Sequence, residues 1–152
     1  MARDVNRDYQ RWYSQVLGRD MELLAFPTSM GRFYQYEDSG MIETLRCHIA
    51  QGWIQVFCVD SVDGKSWYNY SASPHDRAAR HEQYDAYILQ EMMLFIYSRN
   101  QSGYLIATGN TFGAYHAVNL ALRHPDRVQK VIAISCAYTV PGARGGYQSD
   151  DV

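Results

Sequence analysis

Hydrophobic and polar positions follow two different rhythms along this chain. Four short segments are apolar almost without interruption. They are Met21-Glu22-Leu23-Leu24-Ala25-Phe26, stopped by Pro27; residues 53–59, Trp-Ile-Gln-Val-Phe-Cys-Val, ending at Asp60; Tyr104-Leu105-Ile106-Ala107; and Val131-Ile132-Ala133-Ile134. Short, β-branched and aromatic runs of this kind read as strands buried on both faces. The stretches between them carry helical spacing instead. Met41, Ile42, Leu45 and Ile49 line one face before Gly52, and Tyr84, Ile88, Met92 and Phe95 line one face of residues 78–97. Residues 113–123 form a third helical stretch, closed by His124-Pro125. The predicted order is strand, helix, strand, loop, helix, strand, helix, strand. Such alternation specifies an α/β fold with a mostly parallel sheet flanked by helices.

The 152 residues are enough for one domain, taken as 1–152, with a tail from about Pro141 that has no core pattern. The loop 61–76, rich in Ser, Asp, Tyr and Trp, follows a strand at its carboxyl end, where open α/β sheets bind ligands.

Composition changes this picture in two ways. A net charge of −2 removes the electrostatic footprint expected of a nucleic-acid or anionic-membrane binder. No apolar run is long enough to span a bilayer, and Met1-Ala2-Arg3-Asp4 leads into polar sequence, so a soluble cytoplasmic protein is expected. Cys47, Cys58 and Cys136 are odd in number and lie in apolar segments, so they read as buried, reduced thiols. No His, Cys, Asp or Glu spacing suggests a metal site, and no cofactor is implied. Thirteen Tyr, five Phe and three Trp form an aromatic excess suited to a cleft or an interface.

The candidate chemistry lies after the third strand, in Gly109-Asn110-Thr111-Phe112-Gly113, which leads directly into a helix. A glycine on either side of a central nucleophile is the pattern of a nucleophile elbow, a sharp strand-to-helix turn that lifts the central side chain above the sheet. By composition alone, such a pentapeptide with Ser, Thr or Cys at its centre should occur about 0.1 times in this length. The central residue is Thr. Positive φ is most costly for a β-branched side chain, and the extra methyl crowds attack by the hydroxyl.

These residues resemble the α/β-hydrolase-fold esterases, close to the esterase D-like group. The resemblance runs through Trp12-Tyr13-Ser14, residues 17–21, residues 26–34 (Phe-Pro-Thr-Ser-Met-Gly-Arg-Phe-Tyr), residues 57–63 and Ser66-Trp67-Tyr68. It continues through Arg80, His81 and Tyr84, residues 109–117, and residues 121–126. It implies an ester hydrolase with Thr111 at the nucleophile position. It also implies an oxyanion hole made from the Phe112 amide and one from the loop Thr28-Ser29-Met30, with Ser29 and Met30 as the candidates. Three departures stand out. Thr replaces Ser. A strand that the family carries between the Glu22-Leu23-Leu24 region and Phe26-Pro27 is missing. The family's acid and histidine, which follow later strands, have no counterpart here.

A base for Thr111 must then come from five histidines. His116 lies on the elbow helix about 140° around the axis and reads as packing beneath the turn. His124 ends a helix, where imidazole is favourable anyway, and His48 has a surface register. His75 and His81 flank the start of the long helix, with a surface position as the alternative for each. His81 is the candidate base and Asp63 the candidate acid, against a turn-capping role for Asp60 and Asp63. Ser29, Ser61 and Ser135 also read as turn residues. Phe33, Tyr34, Trp67 and Tyr68 are expected to wall a substrate pocket or to pack as a lid.

The resulting expectation is a small carboxylic-ester hydrolase with an incomplete catalytic set, acting on a small ester substrate. The other reading is a catalytically degenerate hydrolase-fold module for binding or interaction. The strand 131–134 is too apolar for an exposed sheet edge, so a homo-oligomer through that edge is expected.

Overall fold

In the computed structural model, which describes residues 21–136 and 138, four parallel strands lie in the order β2-β1-β3-β4. They are β1 (Glu22–Phe26), β2 (Gln55–Cys58), β3 (Leu105–Asn110) and β4 (Lys130–Ile134). The helices are α1 (Gln35–Asp38), α2 (Met41–Ala50), α3 (Pro74–Tyr87), α4 (Met93–Arg99) and α5 (Phe112–Arg123). The family's additional strand is not inserted within β1, which runs unbroken from Glu22 to Phe26. The expected tail from Pro141 lies outside the described residues.

Side chains alternate across the sheet with period two, and each face builds its own core. In register, Leu24 sits beside Phe57 and Ala107. With Phe26 and Leu105 they pack under Tyr84, Ile88, Met93, Ile96, Ala117 and Leu120 from α3 through α5. Leu23, Val56 and Ile106 face the other way and pack with Ile49 of α2. Three strands are therefore buried on both faces, as their sequence implies. β4 is not. Ile132 and Ile134 are about half exposed, and only Val131 packs against the larger core.

The long helix begins earlier than its periodicity suggests. Ser73 caps α3 by accepting the Asp76 amide at 3.1 Å, and Pro74 occupies the first turn, where its missing N–H costs nothing. A single π-helical turn, Ile88–Met92, joins α3 to α4. Cys47 is exposed, because it lies on the side of α2 away from Ile49, and Cys58 and Cys136 are half-buried. The expectation of three buried thiols fails for Cys47 and is met only in part for Cys58 and Cys136. No helix of the described residues is long and apolar enough to cross a membrane.

Candidate active site

The end of β3 turns into α5 through a strained residue. Thr111 has φ 58° and ψ −114°, a region that a β-branched side chain enters only when its surroundings force it. Two close approaches do so. A Cβ on Gly109 would lie 2.2 Å from the Gly113 carbonyl carbon, and a Cβ on Gly113 would lie 2.2 Å from the Pro27 carbonyl oxygen. Strand, helix and the loop after β1 thus meet at distances only glycine permits. The Thr111 amide donates to the Ile134 carbonyl at 2.9 Å, fixing the turn from the β4 side. The Thr111 side chain is exposed, and Phe112 behind it is buried. The Phe112 amide opens α5, where the helix dipole favours negative charge.

The loop after β1 carries a second strained residue. Met30 has φ 54°. The turn is closed by Gly31 N–H donating to the Thr28 carbonyl at 2.9 Å. The Met30 amide was expected to face an oxyanion beside Thr111. Instead it donates to Asp63 Oδ2 at 2.9 Å, and an N–H with one proton has none left for a second acceptor. Ser29 does approach the elbow through its side chain. Its hydroxyl and the Tyr68 hydroxyl are 3.2 Å apart, and the Tyr68 ring packs edge-on against Phe112, centroids 5.3 Å apart.

Asp63 is fully buried in a 3₁₀ turn (Asp63–Lys65), and it joins the site differently from expectation. Its other oxygen, Oδ1, accepts from His116 Nε2 at 2.6 Å. His116 lies beneath the elbow as its helical position implies, stacked on Phe26 with centroids 5.8 Å apart. The acid therefore pairs with His116 and not with His81. Asp60, its neighbour at the strand end, accepts from Arg32 Nε and from the Phe33 amide.

His81 is buried on α3, contrary to a surface position. Its Nε2 is 3.1 Å from Asn119 Nδ2, and its ring packs against Trp67, Tyr115 and His116. Burial is the main cause of its pKa falling from 6.5 to about 4, reinforced by the neighbouring His116. His75 is exposed beside Asp76, His124 pairs with Asp85 at the end of α5, and His48 lies on the surface against Trp53. Thr111 Oγ1 donates to Asn110 Oδ1 at 3.4 Å, and among the described residues no histidine is hydrogen-bonded to it.

The four aromatic candidates separate. Tyr68 stands at the elbow. Trp67 turns toward His81 with its Nε1 buried and without a partner among the described residues, and Tyr34 is about half exposed against Phe33. Phe33 lines a cleft of about 930 Å³ together with Met30, Phe57, Tyr84, Met92 and Phe95. Thr111, Tyr34, Trp67 and Tyr68 are not part of that cleft's lining. Among the described residues no group of three His, Cys, Asp or Glu side chains is placed to hold a metal ion.

Sequence spacing pointed to the elbow and to His116 beneath it. The Asp63–His116 and Asp63–Met30 bonds span 53 and 33 residues, and no local pattern announces them. The Met30-Gly31 pair within the Pro27–Gly31 turn was the available sign of a strained loop.

A parallel sheet whose third strand enters a helix through a glycine-flanked residue at positive φ is the architecture of an α/β hydrolase. The family comparison is more specific. The chain matches the model of the family described as "Putative esterase" over residues 41–145, more than half its length, and it belongs to that family. The match takes in β2, α3, the elbow and β4. No curated protein and no solved structure matches the chain.

Proposed function

We propose that the protein is a small carboxylic-ester hydrolase acting on short acyl esters, with Thr111 as nucleophile. The observation that carries this reading is the backbone of Thr111. A threonine held at positive φ costs on the order of 1–3 kcal/mol, and such strain collects where a side chain must be presented for chemistry. In the reaction the Thr111 hydroxyl adds to the acyl carbon and its proton passes to a base. The alcohol departs, and water then releases the acid and regenerates the hydroxyl. The Phe112 amide at the start of α5 holds the oxyanion.

The base is the weak part of this machinery. His81 is neutral at pH 7, as a base must be, yet it is turned toward Asn119 and its low pKa makes it feeble. Solvent water, or a His or Asp from a second copy meeting the exposed Ile132 and Ile134 of β4, would then accept the proton. Without a strong base, oxyanion binding and positioning together supply about 10³–10⁴ over water. Slow hydrolysis of p-nitrophenyl acetate is expected, lost in Thr111→Ala. Turnover unchanged by that substitution removes Thr111 from the mechanism. A 17.5 kDa monomer by light scattering at micromolar concentration removes the second copy.

The absence of a histidine bonded to Thr111 among the described residues favours one other reading, a hydrolase fold kept for binding. Inertness across many acyl lengths at high protein concentration would support it.

A further inference from the structure

We propose that the Tyr68 hydroxyl is the second oxyanion donor of the Thr111 site, in the position the Met30 amide has vacated; this rests on the hydrolase reading above. An oxyanion hole needs at least two donors converging on one point above the nucleophile. The Phe112 amide supplies one. Of the two loop candidates, the Met30 amide is spent on Asp63 Oδ2, and Ser29 approaches the elbow through its hydroxyl. The group that takes the amide's place at the elbow is a phenol.

Three contacts bring Tyr68 there. Its backbone N–H donates to the Asp63 carbonyl at 3.0 Å, its ring packs edge-on against Phe112, and its hydroxyl lies 3.2 Å from Ser29 Oγ. Asp63 therefore does two things at once. Its side chain withdraws the Met30 amide, and its carbonyl anchors the segment that carries the replacement. The same residue is tied to α5 through His116, and its own N–H donates to the Ser61 hydroxyl oxygen at 3.1 Å. Tyr68 is held by the backbone and by a packed ring, so little reorganisation is needed when charge develops.

The hydroxyl pair also gives the donor a direction. When Tyr68 donates to the oxyanion, Ser29 Oγ–H turns to donate to the Tyr68 oxygen. Two hydroxyls in series polarise each other and strengthen the terminal bond. Ser29 thereby acts as a positioning residue, one step behind the reacting atoms.

The test is Tyr68→Phe in the full chain, which keeps the ring and removes only the hydroxyl. Tyr104→Phe, a change just before β3 at the opposite end of the sheet, is the control. Two readouts are taken: turnover of p-nitrophenyl acetate, and binding of phenylboronic acid, whose tetrahedral adduct with Thr111 carries the oxyanion's charge. Loss of a single donor should lower kcat/KM by about 10²–10³, mostly in kcat, and weaken the boronate by a similar factor. Ser29→Ala should give a smaller loss in the same direction. If Thr111→Ala abolishes both readouts while Tyr68→Phe stays within twofold of wild type, the assignment of Tyr68 is wrong and the hydrolase reading stands. If wild type shows neither turnover nor boronate binding, the hydrolase reading fails and takes this assignment with it.

Discussion

Among the described residues, two carboxyl groups are fully buried, at opposite ends of the sheet. Asp63, at the carboxyl end, has every oxygen engaged, by the Met30 amide, by His116 and through its backbone by Ser66 and Tyr68. Glu22, at the head of β1, is equally inaccessible, yet among the described residues neither of its carboxyl oxygens has a hydrogen-bond partner. Burial pushes its pKa up, and the nearby Ser102 side chain lowers it only in part. Beside it in register, Gln55 Oε1 is buried and unpaired as well. The difference is one of use. At one end a carboxyl organises the loops around a candidate nucleophile. At the other, a polar residue heads a strand running directly into the Pro27 loop, with no network built for it.

Breaking the satisfied end should cost most. Asp63→Ala leaves His116 buried without its carboxylate and releases the Met30 amide, a loss of about 3–5 kcal/mol. A fall in Tm of roughly 10 °C by calorimetry is expected for a chain of this size. A change below 2 °C would show that the network does not hold the loops.

His81 is the intermediate case, with one ring nitrogen near Asn119 and the other, Nδ1, buried and without a partner among the described residues. Its folded pKa of about 4 lies below its ordinary 6.5, so between those values the unfolded chain binds the extra proton. Its contribution is complete above pH 6.5 and is lost as pH falls toward 4, on the order of 3 kcal/mol in all. Urea titrations from pH 7 to 4 should show that loss, and His81→Gln should flatten it. An unchanged slope in the variant would place the pH sensitivity elsewhere.

Glu22 should tilt stability the opposite way. Its folded pKa is raised, so the folded state holds its proton longer, and stability falls as pH rises above 4.5. Glu22→Leu is expected to stabilise the protein by about 1–3 kcal/mol at pH 7, with the acid branch of that gain vanishing below pH 4.5. Destabilisation at pH 7 would mean that the carboxyl has a role the contacts do not reveal.

How much of this was legible in the sequence follows from the range of each interaction. The strand and helix order rests on periodicities of two and 3.6 residues, and it is realised with two additions, the short α1 and the π turn that divides the long helix. The elbow was readable because Gly109, Thr111 and Gly113 lie within five positions. Ser73-Pro74 also held a local start signal for α3, although the loop composition of 61–76 masked it. What spacing could not reveal was tertiary. Asp63 reaches His116 and Met30 across two loops, so it appears along the chain as one more aspartate after a strand. His81 looked like a surface residue because the segment around it is polar, while Trp67 and Tyr115 arrive from elsewhere to bury it. β4 reads as apolar enough for burial on both faces yet is expected at the sheet edge, and there the structure places it, with Ile132 and Ile134 half exposed.

The central claim is that the strain at Thr111 serves a nucleophile. Incubation with a fluorophosphonate ester, followed by intact mass and peptide mapping, tests it most directly. A single phosphonyl adduct on Thr111, absent from Thr111→Ala and slowed in Tyr68→Phe, is the predicted result. An adduct on Ser29 or on any other hydroxyl, with Thr111 unmodified, would contradict it.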